Sequence, residues 1–247
     1  GLEFPEHPQP PQTALVETAT AILAAQDSES FVHCAADVGR ALWDGDEAAL
    51  RDLASTHGRA SDEEAAARVA SGTERRARLK HYSGAMFHYG DEWYWGVDRL
   101  YLLEQRLAGL GADRQPGQPL LAPRPAIDVG PIQADGRLTL EFYPSLRSPY
   151  TAIAFDRTVK MAHDAGVNLV LRPVLPMVMR GVPATREKGM YIFMDAAREA
   201  RAAGVPFGNV YDPIGEPVRR CYALYPWAVE QGKGLELLSG FLRHAFA

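Results

Sequence analysis

The stretch "RLTLEFYPSLRSPYTAIAFDRTVKMAHDAGVNLVLRPVL" (137–175) constrains the fold more than any other part of the chain. Leu138, Leu140 and Phe142 alternate with Thr139, Glu141 and Tyr143, the period of a strand. A helix is expected from about 148 to 164, ending near Gly166. "VNLVLRPVL" then reads as a second strand, rich enough in aliphatic residues to be buried on both faces. A strand, a helix and a strand at this spacing form a βαβ unit, whose strands run parallel because the helix returns the chain to the starting edge.

The flanking segments read as follows. "PEHPQPPQ" (5–12) is excluded from helix, since each proline fixes φ and removes a donor. Helices are expected at 13–27, 29–43 and 47–55, the last closed by His57-Gly58. Ser61 with Glu64 forms a capping box that opens another helix, which Gly72 interrupts. "HYSGAMFHYGDEWYWG" (81–96) reads as a hairpin turning at Gly90-Asp91. "VDRLYLLEQRLAGLG" follows as a helix with Leu100, Leu103 and Leu107 on one stripe. Residues 112–136 hold five prolines and little periodicity, which reads as a linker. Further helices are expected at about 186–203, 216–230 and 234–246.

Of 247 residues, 47% are hydrophobic and 23% charged, a globular composition. The net charge of −5, with no basic stripe, argues against nucleic acid as a partner. The apolar runs are too short to cross a bilayer, so no membrane is expected. Two distant cysteines, Cys34 and Cys221, do not make a disulfide framework, and the cytoplasm is the expected compartment. Both read as buried small hydrophobes. The seven histidines lack ligand spacing, so no metal is expected.

Both ends read as cut, with Gly1 in place of methionine and "GFLRHAFA" carrying no helix stop. "GLEF" at residue 1 is echoed by "GVPF" at residue 204, an offset of 203. The echo suggests a tandem repeat of roughly 200-residue units.

Four stretches resemble the DsbA-like thioredoxin-fold family of 2-hydroxychromene-2-carboxylate isomerases and kappa-class glutathione transferases. "LEFYPSLRSPYTAIAF" is similar to that family's first strand and Ser-Pro-Tyr turn, and "LRPVL" to its second strand. "EKGMYIFMDAAREARAAGVPF" is similar to its Lys-x-x-Tyr helix, and "DEWYWGVDRL" to its late hairpin and Gly-x-Asp-Arg turn. The implied fold is α/β and thioredoxin-like, with a helical insertion. The motif order is inverted, because "GVDR" (96–99) precedes "SPY" (148–150). In a tandem pair, 1–112 is the back half of one unit, 113–136 a linker and 137–247 the front half of the next. A circular permutation is the other way to obtain that order.

The resemblance implies glutathione as cofactor and a small conjugated or electrophilic organic substrate. Ser148 would activate the glutathione thiol, while Pro149, Tyr150, Asp98 and Lys188 would bind the tripeptide, Asp98 through its ammonium. A homodimer or an intramolecular pseudo-dimer is open as the assembly. Physically, a helix N-terminus and a hydroxyl donor together stabilise a thiolate by about 2–4 kcal/mol. That is enough to bring a thiol ordinarily titrating near about 8.5 into the neutral range. Each residue also has a plainer use. Ser148 followed by proline is a common helix start, Asp98 could cap the next helix, Lys188 could be a solvated first-turn residue, and Tyr150 could pack on the core. Trp93, Tyr94 and Trp95 could line a pocket or half-bury a hairpin.

Two departures keep a non-catalytic, degenerate thioredoxin-like binding or assembly module in view. Ala85-Met86 stands where the family has a proline, and "PMVMRGVPATRE" lacks the family's asparagine. A DsbA-type disulfide oxidoreductase is disfavoured, since Ser148-Pro149-Tyr150-Thr151 contains no sulfur.

Overall fold

A computed structural model describes residues 9–124, 126, 130 and 134–247. The calls on "GLEF", on residues 5–8 and on His7 lie outside these residues. The chain forms two compact units, 1–79 and 80–247.

The first unit is helical, with α1 (Thr13–Ala24), α2 (Ser28–Asp44), α3 (Glu47–His57) and α4 (Asp62–Arg78). Its core is Leu15, Ala19 and Ile22 from α1, Cys34, Val38 and Ala41 from α2, and Leu50 from α3. Helix α1 stops before the expected residue 27 because Asp27 starts the next helix. Its carboxylate accepts from the Glu29 and Ser30 amides, at 3.1 and 2.8 Å. The Ser61–Glu64 capping box opens α4 as expected. Gly72 does not interrupt α4, whose acidic first turn and basic last turn both complement the helix dipole.

The second unit begins with an antiparallel hairpin, β1 (Met86–Tyr89) and β2 (Glu92–Trp95). Gly90 and Asp91 both have positive φ, 50° and 63°, which suits the twist of a two-residue hairpin turn. Arg106 of α5 (Leu100–Gly109) donates to the Gly90 carbonyl at 3.0 Å and the Glu92 carboxylate at 2.6 Å. A Cβ on Gly90 would lie 2.7 Å from the Arg106 guanidinium. The deepest residue of α5 is Tyr101, and the expected leucine stripe is only half-buried.

The expected βαβ unit follows. Strand β3 (Thr139–Phe142) pairs in parallel with β4 (Asn168–Leu171), Thr139 opposite Asn168 and Phe142 opposite Leu171. Helix α6 (Pro149–Asp164) crosses between them. Strand β4 is not buried on both faces: Asn168 is exposed and the rest half-buried. Among the described residues the β3–β4 pair gains no third strand. The fold is mixed α/β, with two separate two-stranded sheets among the described residues.

Helices α7 (Arg186–Ala203), α8 (Glu216–Glu230) and α9 (Gly234–Phe246) complete the unit, and their bounds match the expected ranges. Leu146, Phe155, Val218, Cys221, Leu238, Leu242 and Phe246 form its main core.

The compact units differ from the expected division at 112. Arg99 and Tyr101 bond to Asp195 and Glu199 of α7, which joins 80–112 to 137–247. The described part of the expected linker is also held. Glu104 accepts from the Leu121 and Ala122 amides at 2.6 and 3.0 Å, and Arg124 pairs with Glu199. Among the described residues, no helix is long and apolar enough to cross a membrane.

Candidate functional site

Ser148 caps α6. Its extended backbone (φ −87°, ψ 117°) sets Oγ to accept from the Thr151 amide at 3.2 Å, with Pro149 in the first turn. The hydroxyl proton is not used in that bond. Ser148, Pro149 and Tyr150 lie on the wall of a cleft of about 630 Å³, within the range of small-molecule sites. Further lining comes from the loop after β4, a 3-10 turn at Met177–Arg180, and the first turns of α7. Val174, Leu175, Met177, Met190 and Phe193 make much of the lining apolar.

Four cations line the same cleft: Arg147, Arg180, Arg186 and Lys188. The one carboxylate among the lining residues is Asp212. Arg147 grips it through two bonds of 2.8 Å, and that hydrogen bonding holds the Asp212 carboxyl below its ordinary range despite partial burial. No ion pair is formed by Arg180, Arg186 or Lys188 among the described residues. The Lys188 ammonium lies 5.9 Å from the Tyr82 ring centroid. The cleft thus presents an excess of positive charge beside a helix N-terminus, an environment that favours an anion.

Tyr150 reaches the cleft with its ring but commits its hydroxyl elsewhere, donating to Asp195 at 2.8 Å. Asp195 is fully buried at the centre of a charged network. Arg99 donates to both its oxygens at 2.9 Å, Arg198 donates at 3.2 Å and the Tyr191 hydroxyl at 3.3 Å. Burial pushes the Asp195 carboxyl up, but hydrogen bonds from Arg99 and Tyr150 outweigh it and hold it below the usual range. Burial first, and Asp195 second, push the Tyr150 phenol far up, so it stays neutral. One helical turn along, Glu199 accepts from the Tyr101 hydroxyl at 2.5 Å. Burial and that bond push Tyr101 up to about 12.

The structure therefore brings together four of the five expected site residues: Ser148, Pro149, Tyr150 and Lys188. Asp98 is exposed in the 3-10 turn Val97–Arg99 and does not line the cleft. It makes no side-chain cap there, nor for α5. Its neighbour Arg99 is the residue of "GVDR" that the fold uses. Trp93, Tyr94 and Trp95 belong to the hairpin, where Tyr94 is buried, and they too lie outside the cleft.

Sequence reasoning missed Arg180, Arg186 and Asp212 at the cleft, and Asp195 and Glu199 beneath it. The run "RGVPATREK" (180–188) held a signal, three basic residues with one acid among them. Both cysteines are buried, and burial pushes the Cys221 thiol up to about 11. Among the described residues, no three His, Cys, Asp or Glu side chains are grouped to hold a metal ion. Comparison with protein-family models, curated proteins and solved structures finds no match to this chain.

Proposed function

We infer that this is a thioredoxin-like, glutathione-dependent isomerase or transferase, acting on a small conjugated or electrophilic organic substrate. The observation that carries the reading is Ser148: a capping hydroxyl with its proton free, on the wall of a cation-rich cleft at the start of α6. The thiol of glutathione would lie at the α6 tip, where Ser148 donates to the sulfur and the helix end favours its charge. Arg180, Arg186 and Lys188 suit the two carboxylates. The thiolate adds to an activated carbon of the substrate. It then either leaves after bond rotation or ring reopening, giving isomerisation, or stays attached, giving transfer.

The test is a titration with glutathione near neutral pH, followed by thiolate absorbance. The expected result is thiolate formation in the parent and its loss in Ser148→Ala. Glutathione that binds with its thiol still protonated would remove Ser148 from the chemistry.

The second reading is a non-catalytic binding or assembly module. It is favoured by the position of Asp98, which leaves the cleft without a free carboxylate for the glutathione ammonium. It predicts no glutathione binding. A disulfide oxidoreductase is disfavoured further by the burial of both thiols.

The inverted motif order bears on the same reading. Arg99 of "GVDR" and Tyr150 of "SPY" meet on one carboxylate, Asp195. That favours the permuted arrangement, in which both motifs belong to one unit, over the tandem pair.

A further inference from the structure

Two arginines of the cleft play no part in activating a thiol, and neither guanidinium forms an ion pair among the described residues. Arg180 ends the 3-10 turn and Arg186 opens α7. Arg106, Arg147, Arg172 and Arg219 of this unit each hold a carboxylate, and Arg157, Arg201 and Arg243, which pair with none among the described residues, lie outside the cleft. Arg180 and Arg186 hold none among the described residues, yet both border a cleft whose walls are apolar. Met190 is 57% exposed, Leu175 40%, and Met177 and Phe193 38% each. Four large apolar side chains left in water around one cleft mark a binding groove rather than scattered surface residues. Two of them are methionines, whose unbranched thioether chains adapt to a flexible partner.

A wall of this kind beside unpaired guanidinium groups matches one ligand chemistry: a flexible apolar chain ending in an acid. We propose that the cleft binds a long-chain aliphatic carboxylate, with Arg180 and Arg186 receiving the head group and Met177, Met190 and Leu175 covering the chain. The guanidinium fork suits a carboxylate in two-point contact. The aliphatic and thioether wall takes the chain out of water without demanding one ring shape. Asp212 does not repel the acid, since Arg147 neutralises it. This inference does not rest on the glutathione reading: it concerns the chain without glutathione, whose carboxylates would compete for the same Arg180 and Arg186.

The test is calorimetric titration of the full chain, without glutathione, using laurate, methyl laurate and butyrate. Laurate is expected to bind one to one. Methyl laurate, without the charge, and butyrate, without the chain, are each expected to bind at least about tenfold more weakly, a difference of about 1.4 kcal/mol. The double variant Arg180→Ala/Arg186→Ala should lose laurate affinity by about tenfold or more while keeping its circular dichroism. Met190→Asp, which sets a negative charge in the apolar wall, should lose it too. Arg219→Ala, outside the cleft, should bind laurate like the parent, and thiolate absorbance on adding glutathione tests the thiol reading separately. Equal binding of methyl laurate and laurate, unchanged affinity in the double variant, or no laurate binding at all would each overturn the proposal.

Discussion

The unit 80–247 holds two groups of charged residues that share Tyr150 and have opposite fates. Around Asp195 the charges are paired and the carboxylate itself is buried: Arg99, Arg198, Tyr150 and Tyr191 all donate to it, though Arg198 Nε is buried without a partner. At the cleft, Arg180, Arg186 and Lys188 face solvent without a carboxylate among the described residues. The first arrangement is what a fold needs, because a buried charge is tolerated only when fully bonded. The second forms no ion pair among the described residues, and the proposals above give it a ligand. The contrast separates charges that build the protein from charges that await something else, and Tyr150 is where the two groups touch.

The sharpest way to break this contrast is Asp195→Ala. It strands Arg99 and Arg198 and frees the Tyr150 hydroxyl, so a loss of about 3–5 kcal/mol in urea unfolding is expected. A loss below about 1 kcal/mol would mean the network is not structural. Next comes the alkaline limb of stability. Tyr101 ordinarily titrates at 10.0 and is raised to about 12 in the folded chain. Its contribution is therefore fully present below pH 10 and is lost as pH climbs through about 12, because the unfolded chain ionises first. The expected loss is on the order of 2–3 kcal/mol. Unfolding free energies followed across that range should fall less steeply in Tyr101→Phe, the remaining slope coming from other raised phenols such as Tyr150 and Tyr191.

Ser148→Ala removes a helix cap. About 1 kcal/mol of stability is expected to go, measurable as a lower urea midpoint with an unchanged slope. The smallest effect belongs to Arg186→Ala, expected within about 0.5 kcal/mol of the parent. A clear destabilisation there would show that the cleft cations serve the fold after all.

Much of the fold was legible because its signals are local. The alternation at 138–143, the Ser148-Pro149 start, the Ser61–Glu64 box and the Gly90-Asp91 turn each depend on residues a few positions apart. The network was not legible, because Arg99 and Asp195 are 96 residues apart, and either alone reads as an ordinary surface charge. The division into compact units was not legible either, for the same reason. Proline content marked 112–136, whereas the compact unit is set by bonds from 99 and 101 to α7. Strand β4 shows the limit in another way: its composition suits a strand covered on both sides, but composition does not count neighbouring strands. Of the site, Ser148 to Tyr150 could be read from motif shape. Arg180 and Arg186 needed the knowledge that no acid among the described residues folds back onto them.

The two cysteines have a practical consequence. Cys34 is sealed within residues 1–79 and Cys221 within 80–247, at 0% and 4% exposure. Each compact unit thus carries a single built-in clock: an alkylating reagent marks a sulfur only when the surrounding helices part. Two peptides in one mass spectrum then time the breathing of the two halves separately, with no label added to the chain.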